Sequence, residues 1–277
     1  MATVGELLRA ASDLPGEEAA RDAEILLGHC LGVTRSWLYT WPEREVCANS
    51  AGRYRALLAR RREGRPVAHL TGERDFWTLS LAVNEHTLIP RPETETLVAW
   101  ALELDLPAAT AALDLGTGSG AIALALASER AGWSVVGVDR SSDALAVARA
   151  NGARSALAAV EFLRSDWFHA LGGRQFDLVV ANPPYIDPGD PHLDRGDLRF
   201  EPRGALVAAD AGFADLQAIA RDAPGHLGAG GWLLLEHGCE QGPGVRELLR
   251  ACGFGQVATR SDLAGLERVT GGQLGAD

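Results

Sequence analysis

At 277 residues, with 47% hydrophobic residues and a formal net charge of −11, the chain has the length of one large and one small domain and an ordinary globular composition. It holds no lysine, and residues 1–75 carry 11 arginines against 11 acidic residues, so all of the excess acid lies beyond them, which argues against general binding to DNA or RNA. There is no apolar run of about 20 residues for a membrane span, no apolar export core in MATVGELLRAASD, no CxxC and no H-E-x-x-H, so a cytoplasmic protein with reduced thiols and no metal is expected.

The first 70 residues alternate helix-favouring blocks with short breaks. PGEEAARDAEILLGHCLG has Pro15-Gly16 before it, acids in its first turn and Gly32 after it, with Ala23, Leu26, Leu27 and Cys30 or Leu31 on one stripe. NSAGRYRALLARRREG reads as a second helix, capped by Asn49 or Ser50 and ended by Gly64. Its arginines, with Arg53 and Arg65 at the ends of the cluster, form either a solvated face or a dock for an anionic partner. A small helical bundle over 1–75 follows. DFWTLSLAVNEHTLIP changes to strand rhythm around an Asn84-Glu85 turn, predicting a hairpin linker over 76–90, and a helix starts near Pro92. From residue 110 apolar strands alternate with helices through to GPGVRELLRACG. Two close strands, GQVATR and ERVTG, end the pattern. This is an α/β domain over 91–277, its sheet parallel and covered on both faces, with a final antiparallel strand because so short a connection holds no crossover helix.

LDLGTGSGAIALALA sets Gly116, Thr117, Gly118, Ser119 and Gly120 between a strand and a helix, where glycines let a ligand approach the main chain. The string also fits a dinucleotide loop, so alone it leaves the nucleoside cofactor open. Asp139 ends the next strand, placed for ribose hydroxyls or as a helix cap; Asp114 precedes the loop, placed to orient it or to face a cationic centre. Asp166 and Trp167 end a third strand, where they could bracket an adenine, or where Trp167 only packs. The fourth strand, FDLVVA, runs into Asn182-Pro183-Pro184-Tyr185. The prolines fix this corner. The Asn182 side-chain oxygen and the Pro183 carbonyl are two rigid acceptors that can grip both hydrogens of a planar NH2 group, letting charge build on its nitrogen as it attacks an electrophile. Tyr185 would wall the planar group. Methyl transfer needs this grip and hydride transfer does not.

The glycine loop and the NPPY corner resemble those of seven-stranded, Rossmann-like S-adenosylmethionine-dependent methyltransferases. NPPY is shared with adenine-N6 methyltransferases of nucleic acids. HLTGERDFWTLSLAVNEHTLIPRPETETLV, NPPYI, EPRGAL at 201–206 and GGWLLLEHGCEQGPGVRELL narrow the resemblance to the peptide chain release factor glutamine N5-methyltransferases, over nearly the whole chain. That resemblance implies a methyl group passed from S-adenosyl-L-methionine to the side-chain amide of the glutamine in a Gly-Gly-Gln loop of class-1 release factors. It puts Gly116 to Gly120, Asp139, Trp167 and Asn182 at the cofactor, Asn182 to Tyr185 at the glutamine, and Ile89 to Glu95 near the site. A ribosomal-protein glutamine is the alternative substrate, adenine in nucleic acid a further one. No nucleic acid or membrane partner, and a monomer, are expected. After the corner, DPGDPHLDRGDLRFEPRGAL is acidic and proline-rich and is expected to be mobile, and VAADAGFADL departs from the family's usual string. Gly271-Gly272-Gln273 repeats the substrate tripeptide, read as coincidence, with self-methylation as a remote alternative.

Overall fold

The computed structural model describes residues 2–14 and 18–275. Pro15 and Gly16, read as punctuation before the first long helix, lie outside the described residues. The chain forms two compact units, Met1–Glu73 with His192–Phe200, and Arg74–Pro191 with Glu201–Asp277.

The first unit is helical: α1 (Val4–Arg9), α2 (Ala19–Leu31), α3 (Arg35–Thr40), α4 (Ala48–Arg62) and α5 (Val67–Thr71). Ala23, Leu26, Leu27 and Cys30 of α2 are buried with Val4, Leu7, Leu38, Tyr54 and Leu58. The helix ends at Gly32 in the left-handed region, as its glycine predicts. Helices α1, α3 and α5 are five or six residues long, too short for a periodic pattern to announce them. The expected Asn49 or Ser50 cap does not form: α4 opens earlier, behind Cys47, without a side-chain cap bond.

The arginine cluster divides. Arg53, Arg55 and Arg60 are exposed. Arg61 is internal, its side chain only 13% exposed, with Asp22 at 2.8 Å and Asp197 at 2.9 Å. It also donates to the Arg65 carbonyl. A guanidinium this enclosed needs such partners. Arg199 donates to the Glu63 carbonyl and lies over Phe200. The acidic loop after the corner is thereby pinned, over His192–Phe200, to the helical unit.

At the start of the second unit is a hairpin, β1 (Glu73–Phe76) and β2 (Leu79–Ala82), which turns at Trp77-Thr78 and not at the expected Asn84-Glu85, so that no strand returns over residues 87–89; a 3-10 turn at Pro92–Thr94 and α6 (Glu95–Glu103) follow. Then come β3 (Ala111–Leu115), α7 (Ala121–Glu129), β4 (Ser134–Asp139), α8 (Ser142–Arg154), β5 (Glu161–Arg164), β6 (Phe176–Ala181), α9 (Ala214–Asp222), β7 (Leu227–Glu236), α10 (Gly242–Ala251), β8 (Phe254–Ser261) and β9 (Glu267–Leu274). The seven-stranded sheet has the order β5-β4-β3-β6-β7-β9-β8. All pairs from β5 to β7 are parallel, and β9 runs antiparallel to both β7 and β8. The last strand is thus antiparallel as predicted, but it lies inside the sheet between β7 and β8. One face is covered by α6, α7, α8 and the hairpin, the other by α9 and α10. Among the described residues no helix is long and apolar enough to cross a membrane.

Gly271-Gly272-Gln273 lies within β9, paired with Leu234, Leu233 and Trp232 of β7. The Gln273 amide nitrogen donates to the Gly230 carbonyl at 2.8 Å. A glutamine held in a sheet is no loop substrate. Protein incubated with a methyl donor is therefore expected to keep an unmodified Gln273 in its tryptic mass spectrum; a methylated Gln273 would contradict this assignment.

Candidate active site

Parallel strands deliver their carboxyl ends to one edge, where ligands of open α/β sheets bind. Leu115 pairs with Ala181, and Ala181 with Leu235. The next residues, Gly116 and Asn182, therefore leave the sheet side by side, next to Glu236, the last residue of β7. A cleft of about 830 Å³, counting its open mouth, lies at this edge, bordered by Gly116, Gly118, Asp139, Trp167, Asn182 and Pro184.

The glycine loop is shaped from beneath. Gly116 has φ 72°, and a β-carbon on it would stand 3.3 Å from the Trp167 ring. The cleft edge there is main chain because only glycine adopts that turn and admits the indole. Asp114 is fully buried; one oxygen accepts from the Thr117 hydroxyl at 2.6 Å and the Ala123 amide at 3.2 Å. Burial pushes its carboxyl up to about 7 against those two hydrogen bonds. Its other oxygen has no partner. Of the two uses read for Asp114, orienting the loop is the one these bonds perform. Thr117, Ser119 and Gly120 shape the loop without bordering the cleft: Ser119 is buried, and its carbonyl accepts from Asn151, which also bonds both backbone groups of Ala82 in the hairpin.

Asp139 is not the cap of α8; Ser141 is, accepting from the Ala144 amide. The Asp139 carboxylate instead takes the amide of Gly118 at 2.9 Å and that of Ser141 at 2.8 Å, each oxygen keeping a free lone pair beside the cleft. Asp166 and Trp167 both border the cleft; Asp166 is exposed, and Trp167, half-buried at φ 44°, also packs on the core.

Two loops roof this space, His86–Leu88 and Pro202–Ala205. Glu201 ties them. Its fully enclosed carboxylate accepts from the Ile89 amide at 2.8 Å and pairs with Arg91. IPRPETE and EPRGAL, distant in sequence, are one structure held by a buried ion pair.

The corner itself has buried prolines at 183 and 184, with Asn182 and Tyr185 half-buried. Asn182 and Pro184 border the cleft; Pro183 and Tyr185 do not. Asn182 donates its side-chain nitrogen to the Thr94 hydroxyl at 3.1 Å. Among the described residues, neither its side-chain oxygen nor the Pro183 carbonyl accepts a hydrogen bond. Two acceptors on a fixed corner thus remain open.

Behind the corner stands a group that sequence reasoning passed over. Glu236 ends β7 and is 1% exposed. Tyr185 donates its hydroxyl toward it across 3.5 Å. Burial pushes the Glu236 carboxyl up to about 7, while the Thr94 hydroxyl, Arg268 and Tyr185 pull it back. The signal was available: a carboxylate at the end of the apolar run GWLLLE, delivered to the ligand edge like Asp139. Gln241 completes the brace, donating to the Tyr185 carbonyl at 3.3 Å and accepting from the Gly238 amide at 2.9 Å.

The departure at VAADAGFADL also touches the corner. Asp210, Ala211 and Gly212 all have positive φ, and a β-carbon on Gly212 would lie 2.2 Å from the Tyr185 carbonyl oxygen. Gly212→Ala is expected to cost at least about 2 kcal/mol of stability, from left-handed backbone and overpacking together. By shifting the corner it should also slow turnover more than about tenfold. Denaturant titration and steady-state rates check both; a variant matching wild type in each would refute the contact.

Comparison with known proteins agrees with this geometry. Residues 5–72 match the PrmC N-terminal domain, and residues 94–195 the methyltransferase small domain. The release factor glutamine methyltransferase of Pseudomonas aeruginosa is 53% identical over 99% of both chains. That of Shewanella oneidensis is 52% identical over 93% of this chain and 90% of its own. A solved methyltransferase from Pyrococcus furiosus is 16% identical with a TM-score of 0.56, covering 80% of this chain and 98% of its own, a likeness of fold.

Proposed function

The chain belongs to the release factor glutamine methyltransferase family, and from that premise we propose how its cleft and corner methylate the side-chain nitrogen of the glutamine in the Gly-Gly-Gln motif of class-1 release factors. The observation that carries the reading is the pair of open acceptors on one rigid corner, the side-chain oxygen of Asn182, which borders a cleft with a glycine-loop floor, and the carbonyl of Pro183, the next residue in the chain.

The methyl donor we assign is S-adenosyl-L-methionine, whose sulfonium supplies an electrophilic methyl carbon. The cleft suits it: main chain without β-carbons at Gly116 and Gly118, free carboxylate lone pairs at Asp139, and an indole wall at Trp167. Gly116 and Gly118 would hold its amino-acid end, with Thr117, Ser119 and Gly120 shaping the loop from behind, Asp139 its ribose, and Asp166 with Trp167 its adenine.

An amide nitrogen is a weak nucleophile because its lone pair is delocalised into the carbonyl. Asn182 and Pro183, each taking one of its hydrogens, stabilise the positive charge that grows there during attack, and they fix the plane of the amide. The corner does not reorganise to do this: the prolines, Gln241 and Glu236 hold it beforehand. Pro184 borders the same cleft, and Tyr185, tethered through its hydroxyl to Glu236, is stiffened as a wall behind the planar group. The methylated nitrogen is acidic and gives up its proton to water without a dedicated base. The helical unit, matching the PrmC N-terminal domain, is assigned to recognition of the protein substrate. We place the reaction in the cytoplasm, on a monomeric enzyme.

Labelled donor offered with a release factor, its Gln→Ala loop variant, the large ribosomal subunit and DNA tests the reading. Label is expected on the wild-type factor alone. Label on the ribosomal subunit or on DNA, with none on the factor, would overturn it.

A further inference from the structure

Gln241 steadies the corner only while its own side chain keeps one orientation. Its oxygen accepts from the Gly238 amide at 2.9 Å, and its nitrogen donates to the carbonyls of Tyr185 at 3.3 Å and Ala211 at 3.4 Å. The two donor bonds are long and individually weak, so they place the corner only if the turn beneath them is rigid. That turn closes on the Gly238 carbonyl, which accepts from the Gln241 backbone amide at 2.9 Å. The same carbonyl lies 2.8 Å from Nδ1 of His237. His237 is 0% exposed and stands at the end of a line of hydroxyls. Its Nε2 is 2.8 Å from the Thr270 hydroxyl on β9, which is 2.8 Å from the Thr259 hydroxyl on β8. Arg246 of α10 donates to Thr259 at 2.7 Å and pairs with Glu267 at 2.9 Å.

The two ends fix the direction of this line, because a guanidinium only donates and a carbonyl only accepts. Nδ1 therefore carries a hydrogen and gives it to Gly238. Burial holds the ring below the ordinary histidine value, so it stays neutral and Nε2 is an acceptor. Thr270 then donates to Nε2, Thr259 donates to Thr270, and Arg246 donates to Thr259. Every hydrogen of the line has an acceptor. A second proton on the ring would turn Thr270 round and leave the Thr259 hydrogen with no acceptor in the line, a costly loss inside a protein. We propose that His237 is a positioning residue for methyl transfer: held in its Nδ1–H form by Thr270, it locks the turn from Gly238 to Gln241 and, through Gln241, the Tyr185 carbonyl of the corner. The corner is thereby tied to β8, β9 and α10, none of which meets the substrate in this account. Neither His237, Thr270 nor Gln241 borders the cleft, so all three act through the corner.

This rests on the methyltransferase reading, and the test separates the two. His237→Leu, Thr270→Val, Thr270→Ser, Gln241→Ala and the Thr270→Val/Gln241→Ala double variant are compared with wild type for kcat and KM on a release factor. Donor affinity and thermal midpoint are measured alongside. The ring nitrogens of His237 and the side-chain amide of Gln241, assigned by their loss in His237→Leu and Gln241→Ala, are recorded by NMR in the free enzyme. At neutral pH Nδ1 should resonate as a protonated ring nitrogen and Nε2 as an unprotonated one. Thr270→Val should move both the Nε2 and the Gln241 amide resonances, and Thr270→Ser should return them. His237→Leu and Gln241→Ala should each lower kcat at least about tenfold, with donor affinity and KM within about threefold of wild type. Thr270→Val leaves the ring in place, so it tests the proposal even where His237→Leu folds poorly, and it should lower kcat at least about fivefold. Thr270→Ser, which keeps the hydroxyl, should recover kcat to within about threefold of wild type. Thr270 and Gln241 share no bond, so independent losses would multiply; along one line the double variant should fall no more than about threefold below Gln241→Ala. A hydrogen on Nε2, a Gln241 amide unmoved by Thr270→Val, wild-type kcat in Thr270→Val, or losses that multiply would each overturn the proposal while leaving the activity itself in place. A wild-type enzyme that failed to label the factor would instead overturn the reading beneath it.

Discussion

Asn182→Ala is expected to slow methyl transfer at least about 100-fold, the loss that follows removal of one oxyanion-type partner. The variant deletes one of the two open acceptors and leaves the Pro183 carbonyl, so the amide keeps a single hydrogen bond and gains freedom to rotate. The charge held by the missing oxygen develops only as the nitrogen attacks. The loss should therefore fall on kcat and kcat/KM together, with KM little changed. Donor affinity should change less than tenfold, because the glycine loop, Asp139 and Trp167 remain. The truncated side chain is half-buried, and its one protein partner, Thr94, can turn to other groups, so folding should survive. Single-turnover rates with saturating donor measure the effect directly. Near-normal turnover would remove the physical basis of the mechanism.

Glu201→Ala is expected to have the second largest effect, and a different one. Its carboxylate is fully enclosed and serves both the Ile89 amide and the Arg91 guanidinium, whose side chain is 28% exposed. Removing one partner of a buried pair strands the other, at a cost of about 3 kcal/mol, the lower end of the usual range because Arg91 retains some water. The two roof loops lose their shared anchor, so donor affinity should weaken alongside stability. Glu201→Gln keeps an acceptor for Ile89 and should recover part of both. Denaturant midpoints and donor binding by calorimetry check the pair of effects. Wild-type values in Glu201→Ala would show that the loops are held by something else.

Much of this architecture was legible in the sequence because periodicity and punctuation are local. The central parallel strands are mostly apolar, since helices cover both faces, and they deliver Gly116, Asp139, Asn182 and Glu236 to the ligand edge. What stayed hidden depends on contacts across long separations. Arg61 reads as one more charge on a basic helix, yet Asp197, distant in sequence, makes it an internal strut. Glu201 reads as part of an acidic loop, and its meeting with Ile89 and Arg91 is a tertiary event. Glu236 was recoverable, having the same place on its strand as Asp139, but the apolar run before it reads as core. The final strand was rightly antiparallel, whereas its insertion between β7 and β8 follows from pairing that no local pattern records.

The central claim is that this cleft and corner place a methyl group on the side-chain nitrogen of the release-factor glutamine. Tandem mass spectrometry of the Gly-Gly-Gln peptide, taken from a release factor after incubation with the enzyme and S-adenosyl-L-methionine, tests it most directly. One added methyl group, located on the glutamine side-chain nitrogen, is expected, and none when Asn182→Ala enzyme is used for the same short time. A methyl group on another residue, or an unmodified glutamine with active wild-type enzyme, would contradict it.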